Sequence, residues 1–279
     1  MAIKIGINGL GRIGRMVIRS IVESKNKNIE IKHINNKANS ETSALLLKHD
    51  SIHGKFNANI NYDEKNLIIN KKKIPFSQET ELSKINWKKY SVDIVLECTG
   101  KYNSKEKSIL HIKNGAKKVI VSAPCKNADK TIVYGVNHKS INKNDIIISA
   151  ASCTTNCLVP VAFIINKEFK IEKGFMTTIH SYTTDQRLLD NSHKDPRRAR
   201  SAGQSIVPTS TGASKTLGEI IPELKGKIEG LAMRVPTPNV SLVDLVFNSQ
   251  NKLSVKKIND SFIKASNKEL KNVLDTTNE

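Results

Sequence analysis

The sequence predicts an α/β protein with two domains, a doubly wound parallel sheet over residues 1–151 and a second domain over residues 152–279. Two observations support this fold class. Short apolar runs of strand type alternate with helical apolar patterns through the first half of the chain, as they do in parallel sheets. The last such run, at 146–151, then passes through small polar residues into a long apolar helical pattern. We expect the second domain to begin there.

The chain opens with a strand, a glycine turn, a helix and a second strand. Alternation at 3–7 and 29–34 predicts the two strands, and apolar spacing at 16–22 predicts the helix between them. Three glycines follow the first strand with the spacing Gly-x-Gly-x-x-Gly: Gly9, Gly11 and Gly14. In this context they are typical of a Rossmann dinucleotide site, because they permit a tight turn and leave a helix N-terminus open to a pyrophosphate. A tight strand–helix connection is the purely structural alternative.

The second strand ends in Asn35 and Asn36, where dinucleotide sites of this kind place an acidic residue that binds the ribose hydroxyls. Asparagine carries no charge that repels a 2′-phosphate. Asn36 therefore predicts that NADP is tolerated as well as NAD. Drift in an asparagine-rich chain would explain the same residue without a functional reason.

The remaining first-half patterns continue the alternation of strands and helices. They predict the close of a helix at 45–54, a hairpin at 67–70 and 73–75, and strands at 92–100, 118–124, 131–137 and 146–148. Cys98 lies in one of these strands and is expected in the core. Open parallel sheets bind ligands at the carboxyl ends of their strands. Five residues lie at such ends: Gly9, Asn36, Thr99, Ser122 and Cys153.

Cys153 lies where a strand passes into a helix, with Ser152 or a neighbouring threonine as the expected N-cap. The positive end of a helix and its unpaired N–H groups favour the nucleophilic thiolate. A buried structural cysteine is the alternative. The strand predicted at 174–180 ends in His180, the natural base partner of a thiolate, although a lone histidine at a strand end is usually structural.

A hydroxyl-rich and basic region follows His180. Thr183, Arg198 and Thr211 lie in its turns, and Arg234 lies within an apolar strand at 232–238. A buried arginine needs a partner, and planar anions are a common one. These residues together suit a phosphorylated small-molecule substrate, whereas a solvated basic face is the alternative.

Composition narrows the classes of partner. Lys plus Arg is 45 and Asp plus Glu is 26, which gives a formal charge of +19. The lysines are spread along the chain and aromatic residues are only 5%, so we expect compositional bias and no nucleic acid as main partner. Four cysteines without a Cys-x-x-Cys pair predict no metal site and a reducing compartment, the cytoplasm. No apolar run reaches membrane-spanning length, so no membrane partner is expected.

Six segments, in this order, resemble the phosphorylating glyceraldehyde-3-phosphate dehydrogenase family along the whole chain. One of them is Ala-Ser-Cys-Thr-Thr-Asn-Cys at 151–157, and the others lie at 5–15, 97–100, 197–200, 208–213 and 233–238. The resemblance implies oxidation of glyceraldehyde 3-phosphate, with phosphate and NAD(P), to 1,3-bisphosphoglycerate. It also implies a mixed-sheet catalytic domain and a homotetramer, in which the segment at 181–204 packs against a neighbour's cofactor site.

The resemblance also implies residue roles. Cys153 would attack the aldehyde, and His180 would activate the thiol and assist hydride transfer. The implied cofactor contacts are Arg12, Ile13, Asn36 and Ser122. The implied contacts to substrate, phosphate or the reacting carbon are Ser152, Thr154, Thr183, Arg198, Thr211, Gly212 and Arg234.

Several positions depart from the family pattern. Asn36 replaces the usual aspartate, and Asn191-Ser192 replaces the Leu-Pro of strictly NAD-using members, so that Ser192 offers a hydroxyl to a 2′-phosphate. Pro196 replaces a leucine, and Thr80 stands where many members carry an arginine near the adenine. The family usually continues beyond the position of Glu279, which predicts a truncated catalytic domain with weak stability and little turnover. The alternatives are an erythrose-4-phosphate dehydrogenase, or a catalytically impaired remnant with a basic binding role.

Overall fold

The computed structural model describes residues 2–279, which form two compact units. The first unit runs up to Thr131 and includes Ile141–Ala150. The second unit consists of Ile132–Ser140 and Ala151–Glu279. No helix within residues 2–279 has both the length and the apolar character needed to cross a membrane.

The first unit is built on a nine-stranded sheet with the order β10-β11-β9-β8-β1-β2-β7-β6-β5. All neighbours from β10 to β7 are parallel, and β7, β6 and β5 are antiparallel. Its elements are β1 (Ile3–Asn8), α1 (Arg12–Glu23), β2 (Ile29–Asn35), α2 (Ser40–Lys48), β3 (His49–Asp50), β4 (Gly54–Lys55), β5 (Ile60–Asp63), β6 (Asn66–Ile69), β7 (Lys72–Ser77), β8 (Ile94–Glu97), α3 (Lys105–Lys113), β9 (Lys118–Val121), β10 (Lys130–Thr131) and β11 (Ile147–Ser149).

Burial explains why β1 and β2 form the centre of this sheet. Ile5 and Ile7 of β1 pack with Ile18 of α1 and Ile34 of β2 in one apolar cluster. The chain passes from β1 to β2 on one side of β1, and it later returns to form β8 on the other side. The strand order therefore reverses between β1 and β8. Open α/β sheets bind ligands at such a reversal, beyond the carboxyl ends of the strands.

The second unit carries a four-stranded sheet with the order β13-β14-β12-β15. Strands β12 and β14 are parallel, whereas the two outer pairs are antiparallel, so the sheet is mixed. Helix α4 packs on it through Leu158, Val159 and Ala162, which share a buried cluster with Met176. The elements are α4 (Cys153–Phe169), β12 (Ile171–Ser181), β13 (Val207–Thr209), α5 (Ala213–Ile220), β14 (Ile228–Val235), β15 (Ser241–Ser249) and α6 (Val255–Asn267).

The predicted fold class is confirmed: a doubly wound, mostly parallel sheet and a mixed sheet. Two element predictions are wrong. The helix expected to close at residue 54 ends at Lys48, and the next residues form the β3–β4 hairpin. The strand expected at 131–137 is limited to Lys130–Thr131, because the side chain of Asn137 accepts a hydrogen bond from the Val133 N–H (2.8 Å) and closes a turn.

Candidate active site

Cys153 is the first residue of α4, and the local backbone presents its thiol to the helix N-terminus. The Oγ of Ser152 accepts a hydrogen bond from the Thr155 N–H at 3.1 Å, which makes Ser152 the predicted N-cap. Ala151 has φ 57°, a left-handed conformation that a non-glycine residue adopts mainly in tight turns. The thiol therefore lies where unpaired N–H groups and the helix dipole favour a negative charge.

His180, near the end of β12, has its Nε2 3.1 Å from the Sγ of Cys153. Its Nδ1 lies 2.6 Å from the main-chain oxygen of Ser181. In the tautomer with its proton on Nδ1, the ring donates to this carbonyl and leaves Nε2 free to accept the thiol proton. The hydrogen bond from His180 is the main cause that lowers the pKa of Cys153, against burial, which raises it; Thr154 also lowers it through its N–H and hydroxyl.

Arg234 lies opposite His180 in the parallel register of β14 and β12. Its Nη1 donates to the oxygen of Ser181 at 2.8 Å and lies 2.9 Å from the Nδ1 of His180. Its Nε is buried and has no hydrogen-bond partner within residues 2–279. Burial, followed by the charge of Arg198, lowers the pKa of Arg234. A half-buried guanidinium with an unsatisfied N–H, coupled to the thiol through His180, is a site for an anion.

Arg198 lies in a short 3-10 turn, Pro196–Ala199, before β13. It forms an ion pair with Asp185, and its Nε donates to the Oγ1 of Thr209 at 3.0 Å. The Thr209 hydroxyl donates in turn to Asp195 at 2.9 Å. These contacts hold the guanidinium in one orientation. Its positive charge is close enough to Arg234 to lower the pKa of Arg234.

The predicted hydroxyl and glycine contacts lie in loops of the second unit or at the N-termini of its helices. Thr154 is buried in the first turn of α4, and Thr183 is exposed shortly after β12. The Oγ1 of Thr211 accepts from the Ala213 N–H at 3.2 Å, and Gly212 is the N-cap residue of α5.

Among the four cysteines, all within the described part of the chain, only Cys153 has a lowered pKa. Burial raises the pKa of Cys98 to about 11 and that of Cys125 to about 11. Burial and then the charge of Cys153 raise the pKa of Cys157, although Cys157 is exposed on the same helix. No group of three or more His, Cys, Asp or Glu within residues 2–279 could hold a metal ion.

A cavity of about 210 Å³ lies in the first unit, at the carboxyl ends of β1, β2 and β8. The side chain of Asn36 is fixed in its wall, because its Oδ1 accepts from the Leu10 N–H at 3.1 Å and its Nδ2 donates to Ser43 at 3.0 Å. Thr80, which replaces a family arginine, also lines the cavity. The other predicted cofactor residues in its wall are Gly9, Gly11 and Thr99.

The glycine turn fits a dinucleotide. Gly9 has φ 95°, and a Cβ on Gly14 would lie 2.0 Å from the oxygen of Gly9, so the turn itself requires glycine at both positions. A Cβ on Gly11 would meet nothing within 4 Å. Gly11 also precedes the first turn of α1. The open space at Gly11 is where a pyrophosphate can approach the backbone and the helix N-terminus.

Five predicted cofactor residues, Gly14 among them, do not line this cavity. Arg12 is bound by Asp50, with its Nη1 2.9 and 2.8 Å from the two carboxylate oxygens. Ile13 is 51% exposed beside it. The N–H of Ser122 donates to the main-chain oxygen of Glu97 at 3.0 Å. Ser192 lies exposed in the second unit.

The cavity wall also contains residues that the sequence did not identify, namely Asn8, Asn35, Lys37 and Lys101. Asn8 and Lys37 are the immediate neighbours of Gly9 and Asn36, so adjacency to a predicted residue was an available signal. Asp185, which pairs with Arg198, gives no such signal, because folding alone brings the two residues together.

Two family models match the chain. Residues 3–105 match the glyceraldehyde 3-phosphate dehydrogenase NAD binding domain, and residues 152–279 match the C-terminal domain of the same enzyme. Glyceraldehyde-3-phosphate dehydrogenase 2 of Bacillus subtilis (strain 168) is 48% identical over 280 residues, covering 100% of this chain and 82% of that protein. The enzyme of Cereibacter sphaeroides is 49% identical over 279 residues (100% and 83%), and that of Geobacillus stearothermophilus is 49% identical over 275 (98% and 82%). The chain belongs to the glyceraldehyde-3-phosphate dehydrogenase family of NAD-dependent oxidoreductases.

Proposed function

We propose that this chain oxidises glyceraldehyde 3-phosphate with inorganic phosphate to 1,3-bisphosphoglycerate, with Cys153 as its nucleophile. The main support is the 3.1 Å contact between the Sγ of Cys153 and the Nε2 of His180, in a site where the pKa of the thiol is lowered. A lowered pKa increases the fraction of thiolate at a given pH, and a thiolate attacks an aldehyde carbon readily. Such a thiolate needs a reducing compartment, and we place the reaction in the cytoplasm.

Two side chains carry the covalent steps. The Cys153 sulfur forms a bond to the aldehyde carbon, and the proton on Nε2 of His180 moves to the aldehyde oxygen, giving a hemithioacetal. Nε2 then takes the hydroxyl proton back while hydride leaves the same carbon, and a thioester remains. A bound nicotinamide supplies the two-electron acceptor for that hydride. A phosphate oxygen attacks the thioester carbon, the C–S bond breaks, and the Cys153 thiolate is released with the product.

The same geometry restricts where the proton moves. Nε2 is the ring nitrogen that faces the thiol, and Nδ1 lies against the Ser181 oxygen, so Nε2 exchanges protons with thiol and substrate. Arg234 donates to the same oxygen. Its positive charge therefore stays close to His180 and favours the anionic forms of sulfur and oxygen.

The arginines and hydroxyls recognise the phosphate groups. Arg234 offers the unsatisfied Nε, and Arg198 is a guanidinium pre-oriented by Asp185. Arginine suits phosphate because its planar fork forms paired hydrogen bonds. The remaining contacts in this proposal are Ser152, Thr154, Thr183, Thr211 and Gly212.

The cavity of the first unit holds the adenosine end of NAD or NADP in this proposal. The fixed Asn36 carboxamide presents no negative charge to a 2′-phosphate, and Lys37 in the same wall offers a positive one. NADP is therefore accepted at least as well as NAD. Gly9, Gly11, Gly14, Arg12, Ile13, Thr99 and Ser122 complete the cofactor contacts, and Ser192 offers its hydroxyl to the 2′-phosphate.

A homotetramer is the proposed assembly. One face of the mixed sheet exposes the cross-strand neighbours Phe175 (43%) and Val246 (66%), and Leu242 (56%) lies four residues from Val246 on the same strand. The segment between β12 and β13 exposes Leu188 and Leu189 at 84% and 73%. Apolar surfaces of this kind mark protein interfaces, and copies of the same chain supply complementary ones.

The purified chain, mixed with glyceraldehyde 3-phosphate, phosphate and NAD or NADP, tests the function. Formation of reduced cofactor should depend on phosphate and should be abolished in Cys153→Ser. Cys157→Ser is the matched control, because Cys157 lies one helical turn further along α4 and has a raised pKa. Turnover that survives in Cys153→Ser, or that prefers erythrose 4-phosphate, would contradict the proposal.

A further inference from the structure

A buried carboxylate adjoins the cavity of the first unit without lining it. Glu97, the last residue of β8, is 1% exposed. Its oxygens accept hydrogen bonds from the Nδ2 of Asn8 (2.6 Å), the N–H of Thr99 (2.7 Å) and the Nε2 of His111 (2.9 Å). The Thr99 hydroxyl also donates to it. Asn8 and Thr99 line the cavity, so Glu97 lies directly behind the wall and contacts it through these two residues.

The proton positions on one side of Glu97 are fixed by Trp87. Its Nε1 donates to the Nδ1 of His111 at 3.0 Å. An indole N–H can only donate, so Nδ1 of His111 accepts and Nε2 carries the proton toward Glu97. Trp87 and His111 are both 0% exposed, so neither side chain is open to solvent.

On the other side of Glu97, main-chain groups of Glu79 fix the side chain of Asn35, which in turn orients Asn8. The Oδ1 of Asn35 accepts from the Glu79 N–H at 2.9 Å, and its Nδ2 donates to the Glu79 oxygen at 2.9 Å. The same Nδ2 donates to the Oδ1 of Asn8 at 2.8 Å. The carboxamide of Asn8 is therefore oriented with its Nδ2 toward Glu97.

Asn8 and His111 are thus donors toward Glu97 whose direction is set by a further contact. A buried carboxylate is costly unless its oxygens are satisfied, and here three side chains and one main-chain N–H satisfy them. The ion pairs of the described residues include no Lys or Arg on Glu97. The network is built around the two oxygens of Glu97, and it fixes the orientation of Asn8 and Thr99 in the cavity wall.

We propose that Glu97 is a positioning residue for the cofactor: it fixes Asn8 and Thr99 in the cavity wall, and Trp87 fixes Glu97 through His111. The proposal rests on the proposed binding of NAD(P) in this cavity. None of these residues belongs to the Cys153–His180 pair. The network therefore sets affinity for the cofactor and leaves the chemical step unchanged.

Three variants test this. Glu97→Gln replaces one of the two acceptor oxygens by a donor, which then faces either Asn8 and His111 or the two donors of Thr99. It should raise the Kd and KM for NAD about tenfold, or roughly 1.4 kcal/mol, with kcat at saturating NAD retained. His111→Leu should act in the same direction. His111→Gln should restore near-normal affinity, because a glutamine can accept from Trp87 and donate to Glu97. Calorimetric titration with NAD and steady-state kinetics measure these effects.

Val119→Ala is the control for general loss of stability. Val119 is fully buried on β9 in the same apolar cluster as Trp87, and it makes no side-chain hydrogen bond. It should lower the melting temperature while leaving the Kd for NAD unchanged. An equal loss of affinity in Val119→Ala, or normal affinity in Glu97→Gln, would overturn the inference. Failure of the wild-type chain to bind NAD at all would overturn the proposed cofactor use together with it.

Discussion

At the scale of single residues, the reactivity of Cys153 depends on which nitrogen of His180 carries the proton. The Ser181 oxygen, 2.6 Å from Nδ1, accepts a hydrogen bond in the tautomer that leaves Nε2 basic. Arg234 shares that oxygen and adds positive charge near the pair. The pKa of the thiol is lowered by His180 first and then by the N–H and hydroxyl of Thr154, against burial, which raises it.

Replacing His180 should shift the pH dependence of thiol reactivity upward. A lowered pKa means that the thiolate persists to lower pH, so alkylation of the wild-type Cys153 by iodoacetamide should be half-maximal below the ordinary thiol value of about 8.5. His180→Gln removes the main lowering contact, so the midpoint should rise and labelling at pH 7 should slow about tenfold for each unit of rise. Ser241→Ala is the control, because Ser241 of β15 is the cross-strand neighbour of His180 but is exposed. An unchanged midpoint in His180→Gln would refute the assignment.

Residue identity was more predictable than residue contacts. The sequence identified Cys153, His180 and Arg234, and folding brings them into one connected group. It assigned Arg12 to the pyrophosphate without its partner Asp50, which lies 38 residues away in sequence. Partners that only the tertiary fold brings together leave no local pattern in the sequence. The contacts of Glu97 could not be predicted for the same reason.

At the scale of elements, helix α4 serves the site mainly through its first turn. The N-cap hydrogen bond from the Thr155 N–H to Ser152 starts the helix directly at the nucleophile. Such a cap contributes about 1 kcal/mol to stability. At α4 it also fixes the N–H groups that face the thiol, so its loss should affect chemistry as well as stability.

Comparison of two N-cap serines separates these effects. Ser254 caps α6 by accepting from the Lys257 N–H at 3.2 Å, far in sequence from any site residue. Ser152→Ala and Ser254→Ala should each cost about 1 kcal/mol of unfolding free energy. Only Ser152→Ala should also slow alkylation of Cys153 and reduce turnover. Chemical denaturation and the labelling assay provide both readouts, and equal turnover in the two variants would show that the α4 cap is purely structural.

Elements with a clear apolar period were predictable, whereas short or irregular ones were not. Strand β12 and helix α4 follow their patterns closely. Helix α5 has only 8 residues and starts inside a hydroxyl-rich turn, so its pattern is too short to recognise. The wrong strand at 131–137 had the right apolar content, but a side-chain contact of Asn137 closes a turn there instead.

At the scale of the whole molecule, we expect the preference for NAD or NADP to depend on the charge of residue 36, at the carboxyl end of β2. Asn36→Asp should shift preference toward NAD by about tenfold, because a carboxylate there repels a 2′-phosphate. Lys37→Ala should weaken NADP and leave NAD nearly unchanged. Lys72, an exposed lysine on β7 paired with Glu30, provides the matched control Lys72→Ala. Values of kcat/KM for both cofactors measure the shift, and a wild-type chain that strongly prefers NAD would refute the NADP proposal.

The exposed apolar face of the mixed sheet, with Phe175 and Val246, also predicts that copies of the chain associate. Val246 is 66% exposed beside Phe175, and Val255, at the start of α6 and away from that face, is 77% exposed. In a closed homotetramer a Val246→Lys substitution places unpaired charges in every copy of the interface, where burial of a lone ammonium is strongly unfavourable. We expect the wild type to sediment as a tetramer and Val246→Lys to sediment as smaller species. Val255→Lys changes the same residue type by the same charge and should remain tetrameric. Equal sedimentation of wild type and Val246→Lys would show that this face of the sheet is not the interface.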